Sequence, residues 1–157
     1  MLKLMVLILL IAGNPYKLEY RGFAIGQYKG ESIEILKRSY YQYDELPSNL
    51  IQVYVPKTQE HESQRMLLKF DSENILAEIT VIVPLTIEDA RHIVNYHLRV
   101  MGNPTWQGES PIGEKSYYNF MWESPCGRYT FIVSVSKQGE VILRYIDDYR
   151  AGLKKEK

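Results

Sequence analysis

At 157 residues the chain is long enough for one domain, or for two very small ones sharing a core. Its apolar share of 45% and charged share of 24% are ordinary for a globular protein. Nineteen basic residues balance nineteen acidic ones, which argues against an electrostatic nucleic-acid binder, since that class carries a basic surplus. A single cysteine, Cys126, rules out an intramolecular disulfide. It sits in Ser124-Pro125-Cys126-Gly127, a turn with no histidine beside it, so it reads poorly as a nucleophile.

Residues 1–13 carry one lysine followed by nine apolar residues, Leu4 to Ala12. As a helix that run covers about 14 Å, half of a membrane's hydrocarbon core, so it is too short to span one. It reads as the apolar part of a secretory signal with an imperfect cleavage region. The alternatives are a buried first strand of a cytosolic protein or a mis-called start. Contact with a membrane is expected only through this segment, if it stays uncleaved.

The next stretch, Lys17 to Gly26, alternates like a strand. Ser32 offers an N-cap for a short helix from Ile33 to about Tyr41, and the tyrosine cluster Tyr40, Tyr41 and Tyr43 leads into a loop. Those rings read either as a contact patch or as the end of the helix packing on a sheet. Leu50 to Val55 is a strand, followed by a polar loop from Lys57 to Gln64. Arg65 to Phe70 and Ile75 to Val83 form a hairpin about Asp71-Ser72-Glu73-Asn74.

Both ends of the best-defined element are written into the sequence. Thr86 is the N-cap with Asp89 three residues on, Glu88 and Asp89 suit the positive end, and Gly102 and Pro104 close the helix. Ile87, Ala90, Ile93, Val94, Leu98 and Met101 share one arc at about 100° per residue. His97 lies inside that arc and reads as a core histidine held by one backbone carbonyl. His92 lies on the wet face, so the two histidines cannot chelate one ion.

A loop rich in Gly, Pro and Ser then runs from Asn103 to Ser116 and holds Trp106. That residue reads either as a contact residue or as an indole folded onto the core. Tyr117 to Ser124, Arg128 to Ser136 and Val141 to Ile146 are strands joined by turns, and the tail from Gly152 is expected to fray.

These elements predict an α+β fold, two helices packed on an antiparallel sheet. Residues 14–150 form one domain, with a basic tail at 151–157. The order is strand, helix, three strands, then helix, three strands. Ser32-Ile33-Glu34 matches Thr86-Ile87-Glu88 54 positions on, and the two hairpin turns lie 66 apart. A tandem repeat over 17–83 and 84–147 is therefore expected.

Gly26, Ser32-Ile33-Glu34, and Leu85 to Ala90 followed by Met101-Gly102-Asn103-Pro104 resemble the turn, cap, acid and Gly-x-Pro pattern of small bacterial envelope domains. Those are the small outer-membrane assembly lipoproteins and the β-lactamase inhibitory proteins. The chain lacks the lipid-attachment cysteine of the first and the disulfides of the second, so no functional residue is carried over. The resemblance implies an exported, non-catalytic, protein-binding domain.

No phosphate loop, Gly-x-Ser-x-Gly or His-Glu-x-x-His motif occurs. No catalytic residue, metal ligand or cofactor is assigned. The favoured partner is another protein, met through Trp106, Tyr40, Tyr41 and Tyr43. The rival reading is a small hydrolase-like enzyme built on His97, Glu88 and tyrosines of the sheet.

Overall fold

A computed structural model describes residues 18–155. The apolar N-terminal run, and with it the choice between signal and buried strand, lies outside the described residues.

The chain enters through a small hairpin, β1 (Glu19–Tyr20) and β2 (Phe23–Ala24), in place of the single strand expected there. Arg21 and Gly22 both have positive φ, at 51° and 85°. That is the geometry of a tight hairpin turn, and it breaks the strand at its middle. Tyr20 and Phe23, on either side of the turn, are fully buried. Each contributes about 2–3 kcal/mol by leaving water.

Helix α1 (Lys29–Ser39) starts before the expected cap. Tyr28 holds the extended N-cap position, and its N–H donates to Glu31 Oε2 at 3.0 Å. Ser32 is inside the helix and buried, with its hydroxyl donating to Gln27 Oε1. A serine satisfied by a side chain from the preceding turn has no need to cap, which is why the expected start fails.

Four strands follow: β3 (Gln42–Leu46), β4 (Leu50–Val55), β5 (Gln64–Phe70) and β6 (Leu76–Val83). Then come α2 (Ile87–Met101) and four more: β7 (Trp106–Ile112), β8 (Lys115–Glu123), β9 (Tyr129–Ser136) and β10 (Val141–Asp147). Each helix is thus followed by four strands, where three were expected. The two unexpected strands, β3 and β7, are the tyrosine-rich segment and the tryptophan-bearing loop.

All eight strands form one antiparallel sheet in the order β3-β4-β5-β6-β10-β9-β8-β7. The last strand of each set meets the other at the centre, where Val83 pairs with Val141 and Ile79 with Tyr145. The first strand of each set lies at an outer edge. Both helices pack on one face. Leu36 of α1, Ala90 and Ile93 of α2, and the strand residues Val53, Met66, Val81, Phe131 and Leu143 belong to a single buried cluster. The opposite face carries a row that crosses the whole sheet in register: Asp44, Gln52, Leu67, Thr80, Arg144, Ile132, Met121 and Trp106.

The two ends of helix α2 are as the sequence predicts. Thr86 accepts from the Asp89 N–H at 3.1 Å, and Gly102 ends the helix with φ 76° and its N–H on Leu98 O. Two fixtures set it on the sheet. The Trp122 indole donates to Gly102 O at 3.1 Å. At the other end, Gly139 of the β9–β10 turn lies so close that a Cβ there would stand 2.5 Å from Leu85 O. Among the described residues no helix is long and apolar enough to cross a membrane.

After β10 the chain is pinned where fraying was expected. Leu153 and Lys154 N–H donate to Asp148 O, and Lys154 Nζ reaches Asp148 and Glu123. Residues 156 and 157 lie outside the described part.

Candidate binding site

The residues singled out in the sequence separate onto the two edges of the sheet. Tyr40, Tyr41 and Tyr43 stand at the β3 edge and Trp106 on β7 at the other. Eight strands at about 4.8 Å spacing place these edges roughly 34 Å apart along the sheet. They do not form one site.

The tyrosines also part from one another. Tyr43 is half-buried against the core. Tyr41 is half-buried too, and its hydroxyl accepts from Arg21 Nη1 at 3.3 Å. Tyr40 is 93% exposed, in the left-handed conformation that ends α1.

Trp106 projects from the face away from the helices and is 46% exposed. Its indole lies along its own strand, over Gly108. A Cβ at Gly108 would come within 2.8 Å of the ring, so the glycine makes room for the indole. Trp106 does not belong to the buried core.

On the helix side of the same strand lies a groove of about 530 Å³. One wall is a ridge of α2, Ile87, Arg91, Val94 and Asn95, which one helical face brings together at spacings of four, seven and eight. The other wall is Tyr118 and Phe120 of β8, with Glu109 of β7 at the rim. Alternation explains the arrangement. Tyr118 pairs with Glu109 and Phe120 with Gln107, so those side chains share the helix face, while Trp106 and Met121 share the other. Tyr118 is 44% exposed and Ile87 likewise. The apolar arc of α2 therefore overhangs the sheet at its first turn, and Ile87 is not covered as its periodicity predicts.

Arg91 and Lys137 make the groove's rim mainly basic. Lys137 is 3.8 Å from Glu109. On the other face of the sheet, outside this groove, Glu140 accepts from the Tyr117 hydroxyl and from Lys115 Nζ. The Tyr117 hydroxyl holds the Glu140 carboxyl below its usual range, against the effect of burial. Burial, reinforced by that carboxylate, pushes Tyr117 up to about 12.

His97 is fully buried. Its Nδ1 donates to Ile93 O at 2.8 Å, and its ring packs 5.0 Å from Phe131 and 5.2 Å from Tyr96. Glu88 is on the solvent side of the same helix, so the two are not brought together. Asp147 and Asp148, buried neighbours, take separate partners: Arg128 for the first, the Thr130 hydroxyl and Lys154 for the second. Among the described residues no group of three His, Cys, Asp or Glu side chains could hold a metal ion.

Sequence reasoning missed β7 as a strand, and with it the groove. One signal was available, Gly113-Glu114 as a two-residue hairpin loop; the structure has Gly113 at φ 61° with Ile112 paired to Lys115 across the turn. Comparison with models of known protein families, with characterised proteins and with solved structures finds no match.

Proposed function

We propose that this protein is a small exported, non-catalytic domain that binds another protein by taking an extended segment of it onto the free edge of β7. One observation carries the reading: the edge strand is flanked by exposed apolar side chains on both of its faces. Trp106 and Ile112 stand on one side. Tyr118, Phe120 and Ile87 line the groove on the other. An added strand presents alternate side chains to the two faces, so one row meets the indole and the other enters the groove. Main-chain hydrogen bonds to β7 supply affinity, and the aromatic anchors supply selectivity.

A peptide isolated from a displayed random library against the full chain tests this. Trp106→Ala and Tyr118→Ser should each weaken it about tenfold, the loss of roughly 1.4 kcal/mol expected for an interface anchor. Affinity unchanged in both variants contradicts strand addition at β7.

Export rests on the lysine and nine apolar residues at the N-terminus. An intact Met1 on the native protein, read by N-terminal sequencing, would sink it. The two helix-plus-four-strand halves are further read as a tandem repeat. The reading is supported by their matching element order and by the meeting of their last strands at the sheet centre. Relatives in which the two halves align residue by residue would decide it, and relatives whose halves share only topology would count against it.

A further inference from the structure

Two fixtures set how α2 runs over β8. At its C-terminal end Gly102 O accepts from the Trp122 indole. Its N-terminal turn sits against Gly139, just beyond Ser136, which pairs with Tyr117. Helix and strand therefore point the same way. Ile87 to Gly102 rises about 22 Å at 1.5 Å per residue, and Ser116 to Trp122 about 20 Å at 3.3 Å per residue. The two keep step, so Ile87 stands level with Ser116, Arg91 with Tyr118 and Asn95 with Phe120. Strand β7 continues these rows, since Pro111 pairs with Ser116, Glu109 with Tyr118 and Gln107 with Phe120.

Charge is uneven along the rows. Glu109 is the one acid among the described residues that line the groove, and it is engaged. It accepts from the Ser116 hydroxyl at 2.7 Å and lies 3.8 Å from Lys137 Nζ. Arg91, Asn95 and Gln107 are exposed, and among the described residues none of the three side chains makes a hydrogen bond or ion pair. The Phe120 row thus holds two free amides, with the Arg91 guanidinium one helical turn away and no carboxylate to receive them. The Ser116 row is different: Ile87 and Pro111 are both exposed and apolar there. On a strand added to β7, the places beside Gln107 and Pro111 lie four residues apart and face the same side.

A second copy of β7 does not match this pattern. Paired about Glu109, it would set Glu109 against its own copy and Pro111, which has no N–H, against Gln107. We propose, resting on strand addition at β7, that the partner segment is acidic. It sets an Asp or Glu beside Gln107, held by Arg91 and Asn95, and an apolar side chain four residues away beside Pro111, against Ile87.

The test is selection of a displayed random peptide library on the full chain and, in parallel, on Arg91→Glu, an exchange on the exposed ridge of α2. The parent should select peptides with Asp or Glu four residues from an apolar side chain, and Arg91→Glu should select Lys or Arg at the acidic place. In the strongest parent peptide, exchanging the acid for its amide should weaken binding about threefold, within the range of an exposed ion pair. The same exchange should have no effect on binding to Arg91→Ala, and high salt should erase the difference. Strand addition and the acidic partner fail separately. A peptide weakened by Trp106→Ala but indifferent to the acid-to-amide exchange, or a selected pool without acidic preference, overturns the acidic partner and leaves strand addition standing. A peptide indifferent to both Trp106→Ala and Tyr118→Ser overturns both. A free chain that dimerises in sedimentation and becomes monomeric in Trp106→Ala gives the edge to a second copy, and overturns the acidic partner too.

Discussion

Asp71 shows how one side chain fixes a hairpin. Its Oδ1 accepts from the N–H groups of Glu73 and Ile75, and its Oδ2 accepts from Arg150 Nη1 at 2.7 Å. Burial works to raise its pKa, but these donors outweigh burial and hold it below the usual 3.8. A carboxyl with a depressed folded pKa stabilises the fold above its unfolded value and loses that contribution as pH falls through the folded one. Asp71→Asn should therefore cost about 1.5–3 kcal/mol at neutral pH, the worth of hydrogen bonds to a charged group. The gap from the parent protein should close as pH falls below about 3.8. Denaturant unfolding across pH measures it, and a gap that persists at the lowest pH contradicts the assignment. Asp71 was legible in the sequence as a turn residue. Arg150, 79 positions away, was not, because nothing local marks which tail cation folds back onto a hairpin.

Among the elements, α2 was the most legible, and the reason is physical. Its cap, its acidic first turn and its closing glycine act through neighbours a few residues away. What the sequence did not disclose is how it is seated. Gly139 meets Leu85 O, Thr86 C and Ile87 N with no room for a methyl group, and its φ is 95°. Gly139→Ala should cost about 2–4 kcal/mol, from the left-handed strain together with displacement of backbone atoms. For a chain of this size that lowers Tm by roughly 10 °C. Gly113→Ala is the control. Its φ is 61° but nothing lies within 4 Å of its Cβ position, so it should cost only about 1 kcal/mol. Equal losses in the two variants would refute the close seating of the β9–β10 turn under α2. The strands β3 and β7 were illegible for the converse reason. Alternation of apolar and polar residues records burial on one face. An edge strand with both faces largely exposed, as in Gln42–Leu46 and Trp106–Ile112, leaves no such record. Turn residues such as Pro47, Gly108 and Pro111 then read as loop.

Across the whole molecule, the strand order sets which surfaces are free. Because the last strands of the two sets meet at the centre, the first strand of each set is left at an edge. The helices shield one face, and α2 stops short of β7 and Tyr118. The proposed binding surface follows from this layout: the aromatic-flanked edge of β7 lies at one end of the sheet. The fold class, the two helices and the central strands were legible, since they are the buried parts. The surfaces that carry the functional reading were not, since solvent imposes little pattern on a sequence. Amide hydrogen exchange on the full chain, free and with a library-selected peptide bound, tests the central claim most directly. Strand addition predicts that protection rises in residues 106–112 and in no other edge, with the Trp106 indole signal shifting on binding. Protection that leaves 106–112 unchanged, or that rises at residues 42–46 instead, would contradict it.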